Sequence, residues 1–93
     1  MKRVEIIANQ SIEADLFEIF IKKGIGRHYT KIPNAMGVGN SDPKMGDHIW
    51  PEENVMIIIY CEEKEAVKLK DAVKEVNELF PREGLKVFTS QCE

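Results

Sequence analysis

Hydrophobic positions recur at strand or helix spacing along most of the chain and lose all period in one stretch. Arg3 to Ala8 (RVEIIA) places Val4, Ile6 and Ala8 on one side at the two-residue period of a strand. Ser11 follows as a helix N-cap, because its hydroxyl can accept from the free amides of a first helical turn. From Ile12 to Lys23, the residues Ile12, Leu16, Ile19 and Phe20 share one helical face, and Gly24 after Lys22 and Lys23 is a stop signal. Gly24-Ile25-Gly26 breaks that pattern. Arg27 to Ile32 then suits a second strand, which Pro33 ends because proline has no amide to give a ladder. The next stretch, Asn34 to Glu53 (NAMGVGNSDPKMGDHIWPEE), keeps no period and reads as a loop.

Asn54 to Cys61 (NVMIIIYC) is a third strand whose consecutive apolar residues, Val55 to Tyr60, predict burial on both faces. Glu62 to Phe80 carries Ala66, Leu69, Val73, Val76 and Phe80 at three-and-four spacing, the pattern of a second helix, with Glu65/Lys68 and Asp71/Lys74 as outward ion pairs. Pro81 and Gly84 turn the chain into a last strand, Leu85 to Ser90 (LKVFTS).

Strand, helix, strand, loop, strand, helix, strand is the order of the split βαβ, ferredoxin-like arrangement. This is an α+β sandwich with two helices on one face of a four-stranded antiparallel sheet of order 4-1-3-2. At 93 residues and 43% hydrophobic content the chain builds one core, so residues 1–93 are expected to form one domain. The other sheet face is left bare, and with the third strand apolar on both sides a second copy is expected to cover it. The topology gathers three connections at one end of the sheet: Asn9 to Ser11, the loop Asn34 to Glu53, and the turn Pro81 to Gly84. Those connections form the candidate site, and the N-terminus of the first helix among them favours anions.

Charge and composition narrow the partners. Thirteen Lys and Arg against sixteen Asp and Glu give a net charge of −3 with the signs interspersed, which argues against nucleic acid. No apolar run is long enough to cross a bilayer and no signal-peptide core is present, so a cytoplasmic protein without membrane insertion is expected. Cys61 and Cys92 fall at the end of the sheet opposite the loop, on strands that the first strand separates, and read as two reduced thiols out of disulfide reach.

Within the loop, Gly37-Val38-Gly39-Asn40 could offer backbone amides to a phosphate or serve as a flexible hinge. Asp47-His48-Ile49-Trp50-Pro51 gathers a carboxylate, an imidazole and a large aromatic ring. Trp50 is either a ligand contact or an anchor that folds the loop back on the sheet. His48 with Asp47, and with His28 or a cysteine of a neighbouring subunit, is a candidate copper or zinc site. Phe17, Ile21, Tyr29 and Tyr60 are assigned to core or interface. No paired carboxylates, Ser/His/Asp set or metal-ligand cluster is visible, so binding rather than catalysis is expected.

The opening KRVEIIA, the glycine break after the first helix, the long loop between the second and third strands and the ending GLKVF at Gly84 to Phe88 together resemble the P-II nitrogen-regulatory-like proteins. The resemblance spans nearly the whole chain. It implies a signal-transduction homotrimer whose three sheets line the centre. It also implies a cleft where the large loop of one subunit meets the short turn of its neighbour, a site at which family members bind adenine nucleotides. Gly37 to Trp50 would then be the mobile partner-binding T-loop, and Gly84 with Lys86 would stand beside phosphates.

The chain departs from that pattern in two places. The family's longer glycine-rich phosphate turn is reduced here to Pro81-Arg82-Glu83-Gly84-Leu85-Lys86, and the C-terminal arginines of nucleotide-binding members are absent. The implied ligand is therefore left as a small molecule, an anion or a metal. The ligand set expected on these grounds is Ser11, Gly37, Gly39, Asn40, Asp47, His48, Trp50, Gly84 and Lys86. Bound ligand would order the loop 34–53, which would engage or release a protein partner. The related copper-tolerance family (CutA), trimeric on the same fold, implies the metal-binding alternative centred on His48.

Overall fold

Alternation along the first strand decides which side of the sheet is covered. In the computed structural model, which describes residues 1–38 and 53–93, β1 (Lys2–Asn9) buries Val4, Ile6 and Ala8 completely and leaves Arg3, Glu5 and Ile7 on the other face. A 3-10 turn (Gln10–Ile12) leads into α1 (Glu13–Lys23), which buries Leu16 and Phe20. Then come β2 (Thr30–Ala35), β3 (Asn54–Cys61), α2 (Glu63–Leu79) and β4 (Leu85–Gln91). The sheet order is β2-β3-β1-β4 with every neighbouring pair antiparallel. This is the ferredoxin-like α+β fold that the element order predicts.

The core lies between the sheet and the helices. Val4, Ile6 and Ala8 of β1, Val55, Ile57 and Ile59 of β3, and Leu85 of β4 meet Leu16 and Phe20 of α1 and Ala66, Leu69, Ala72, Val73 and Val76 of α2. The apolar spacing read for the second helix is thus the spacing of its buried stripe, and Phe80 packs at the margin of the same core. Ile21, by contrast, is almost wholly exposed on the outer side of α1. Glu65 is not committed to Lys68: its carboxylate accepts from the backbone amide of Gly26 at 3.0 Å and so ties α2 to the turn after α1. No described helix is long and apolar enough to cross a membrane.

Strand two begins and ends later than its sequence suggests. Residues Arg27 to Tyr29 still belong to the connection, where the Tyr29 ring packs on Phe17 with centroids 4.9 Å apart. Pro33 lies inside β2 instead of ending it. An edge strand tolerates proline because one row of its backbone groups has no ladder partner, and among the described strands β2 neighbours β3 alone. The ladder shifts register between Ile32 and Ala35, with Asn34 at a φ of 60°.

Two glycines close α1. Gly24 is the left-handed C-cap at φ 66°, its amide bonded back to Phe20 and Ile21 carbonyls. Gly26, at φ 63°, has less room still: a Cβ there would meet Phe20 Cδ2 at 2.8 Å, whereas one at Gly24 would meet nothing within 4 Å. Both alanine substitutions carry the left-handed backbone cost, but only one also overpacks a buried ring. Gly24→Ala should lower unfolding stability by about 1 kcal/mol and Gly26→Ala by about 3 kcal/mol, as read from urea denaturation; equal losses would mean that Phe20 gives way.

Candidate functional site

The end of β1 holds Asn9, the buried polar residue of the described core. Its amide N–H donates to the Gly84 carbonyl at 2.8 Å, and the next amide, Gln10 N–H, donates to the Glu53 carbonyl at 2.9 Å. Two neighbouring peptide groups, where β1 passes into the 3-10 turn, thereby fasten the turn before β4 and the chain leading into β3. Residues 9–11, the turn before β4 and Glu53, the last residue of the loop 34–53, are thus joined through the backbone.

The Asn9 side chain organises the same corner. Its Oδ1 accepts from Ser11 N–H at 3.1 Å, and its Nδ2 donates to Glu83 Oε2 at 2.7 Å. Ser11 Oγ donates to that same Oε2 at 3.1 Å. Glu83 is itself held by its amide, which donates to the Phe80 carbonyl at 3.1 Å. Asn9 is therefore the capping residue and Ser11 is not. The helical path starts one turn early, so Ser11 lies inside that first turn and its hydroxyl turns to Glu83. Among the described residues no buried side-chain polar atom lacks a partner.

Of the expected ligand residues, Ser11 and Gly84 stand at this corner. Gly37 lies beyond β2, where an added Cβ would sit 3.0 Å from Asn54 Nδ2. Lys86 is on β4, exposed, in the same cross-strand row as Ile7 and Met56 and so on the open face of the sheet. Gly39, Asn40, Asp47, His48 and Trp50 fall outside the described residues. Sequence reading took Asn9 only as part of a connection and did not single out Glu83. The available signal was that Asn caps a helix as well as Ser does.

The two cysteines lie at the far end of the sheet and are unbridged. Cys61 is buried, and burial first, then the nearby Glu65 and Glu62, pushes its thiol pKa up, away from the thiolate form that metals bind. Cys92 sits beside Met1, its Sγ 3.5 Å from the Met1 carbonyl oxygen. Among the described residues no group of three or more His, Cys, Asp or Glu side chains is placed to hold a metal ion.

The open face runs across all four strands in register. Ile32, Met56, Ile7 and Lys86 form one row, Thr30, Ile58, Glu5 and Phe88 the next, and Tyr60, Arg3 and Ser90 a third. Ile32 is 44%, Phe88 55% and Tyr60 55% exposed, and Met56 and Ile58 of β3 are half-buried, so among the described residues this face is apolar and only partly covered. Arg3 donates to the Tyr60 hydroxyl at 3.0 Å and pairs with Glu5 at 3.4 Å.

The corner makes a stability prediction. Asn9→Ala removes one of the two donors to Glu83 and the acceptor of the Ser11 amide from a fully buried position and should cost about 2 kcal/mol, whereas Ser11→Ala, at an exposed position, should cost under about 1 kcal/mol. Thermal unfolding of the two variants checks the order.

No protein-family profile matches the chain, and no curated protein matches it in sequence. Solved structures do match. CPII bound to ADP and bicarbonate, from Thiomonas intermedia K12, superposes with a TM-score of 0.74 at 21% identity, over 96% of this chain and 82% of that one. The apo form of CPII, a nitrogen regulatory PII-like protein, gives 0.65 at 19% identity, over 98% and 89%. A PII-like signaling protein from Thermus thermophilus gives 0.66 at 25% identity, over 96% and 82%. The likeness to P-II proteins read from the sequence is thus met in three dimensions: the chain has the fold of these PII-like proteins at 19% to 25% sequence identity.

Proposed function

We propose that this chain is a regulatory, small-ligand-binding subunit of the PII-like type. A ligand seated between subunits sets the state of the loop 34–53, and that loop engages a protein partner. The observation that carries the reading is the convergence at Asn9 and Gln10: adjacent amides at the end of β1 hold the turn at Gly84 and the chain at Glu53. A ligand that shifts one of these connections thereby acts on the other. The expected contacts are Ser11 and Gly84 at the corner, with Gly37, Gly39, Asn40, Asp47, His48 and Trp50 from the loop and Lys86 from β4. The protein works in the cytoplasm as a binding subunit, and the reading assigns it no reaction.

The assembly in this reading is a homotrimer. An open face carrying Ile7, Ile32, Met56, Ile58 and Phe88 supports self-association, because burying such side chains stabilises by about 25 cal/mol per Å² of apolar area. The similar CPII holds ADP and bicarbonate, which makes these the first ligands to try here.

Titration calorimetry of ADP, with and without bicarbonate, should give saturable heat. Proteolysis within 34–53 should slow when the sites are filled. Absence of heat with ADP, AMP and bicarbonate, together with unchanged cleavage, would remove this ligand class. Light scattering should report three copies, and Ile58→Asp, which puts a charge in the middle of the open face, should give a folded monomer. A wild-type monomer at micromolar concentration overturns the intersubunit cleft.

A further inference from the structure

Glu83 differs from the other acidic side chains of the described chain in what holds it. One carboxylate oxygen, Oε2, takes both the Asn9 amide at 2.7 Å and the Ser11 hydroxyl at 3.1 Å. Asn9 is completely buried, with its Oδ1 already accepting from the Ser11 amide, so its Nδ2 is fixed in direction. The peptide that carries Glu83 is clamped on both sides. Its own amide donates to Phe80, and the carbonyl of the next residue, Gly84, accepts from Asn9. The corner is thus a carboxylate-binding arrangement whose carboxylate comes from the same chain.

We propose that Glu83 is an internal occupant of this corner, an autoinhibitory contact that excludes small external anions from Asn9 Nδ2 and Ser11 Oγ until it swings away. The inference deepens the proposed function and rests on it, in that it says what keeps small anions out of that end of the sheet. Two effects act together. A tethered carboxylate competes at an effective concentration on the order of millimolar, so a free anion must displace it. Its negative charge, within a few ångströms, also repels the incoming one.

Removing the carboxylate should therefore uncover anion binding instead of destroying it. In titrations of inorganic phosphate and of acetate into the full chain, Glu83→Ala should bind at least tenfold more tightly than wild type. Glu83→Gln, which still accepts from Asn9 but carries no charge, should fall between them and also guards against a fold lost in the alanine variant. The Asn9→Ala substitution placed on Glu83→Ala should abolish the gain. Affinity in both Glu83 variants equal to or weaker than wild type, including no binding by any of the three, overturns the proposal and leaves Glu83 a structural tie. The outcome is separable from the ADP titration. Wild type that binds ADP while Glu83→Ala gains nothing leaves the ligand reading standing without the internal occupant. A gain for phosphate in a chain that ignores ADP leaves the occupant standing without the nucleotide.

Discussion

The antiparallel pairing of β1 with β3 is the constraint on which the rest depends. It runs unbroken from Lys2 opposite Cys61 to Asn9 opposite Asn54. Because side chains alternate across the sheet, this register puts Val4, Ile6 and Ala8 beside Ile59, Ile57 and Val55 on the helix side, and Arg3, Glu5 and Ile7 beside Tyr60, Ile58 and Met56 on the other. A slip of one residue would drive Arg3 and Glu5 under the helices, a cost no rearrangement of α1 or α2 offsets. The same register delivers Asn9 to the last paired position, where its two flanking amides face Gly84 and Glu53. Core and candidate site are consequences of one alignment.

Much of that alignment is legible in the sequence. The stripe Ala66, Leu69, Val73 and Val76 announces α2 because three-and-four spacing over many residues has no other economical reading, and β1, β3 and β4 follow from short apolar runs with clear stops. The second strand is misplaced by sequence for a physical reason. Residues 27–29 have strand-compatible side chains, but Tyr29 is spent on Phe17, and whether a proline is tolerated depends on a strand's place in the sheet, which local sequence does not carry. The apolar succession in β3 predicts burial on both faces. Among the described residues the helices cover one side, and Met56, Ile58 and Tyr60 are the part of that expectation that concerns the open face.

The corner itself is half legible. Topology brings residues 9–11 and 81–84 together, but no local pattern pairs Asn9 with Glu83, which stand at opposite ends of the sequence. Ser and Asn are near-equal caps, and which of them serves depends on where the helix starts. That start is set by the 3-10 turn, whose Ile12 is buried in the core. The polar network is a by-product of seating an apolar side chain.

The irregular end of β2 bears on what the border of the sheet can recruit. A sheet of this kind has two borders, β2 and β4, and an uncovered border can recruit another chain's strand without limit. At β2 the proline, the left-handed Asn34 and the register shift interrupt the regular row of backbone groups that such recruitment needs. Growth of fibrils by strand addition is thereby discouraged at that border, and the same irregularity that seats a proline in the strand also guards its edge.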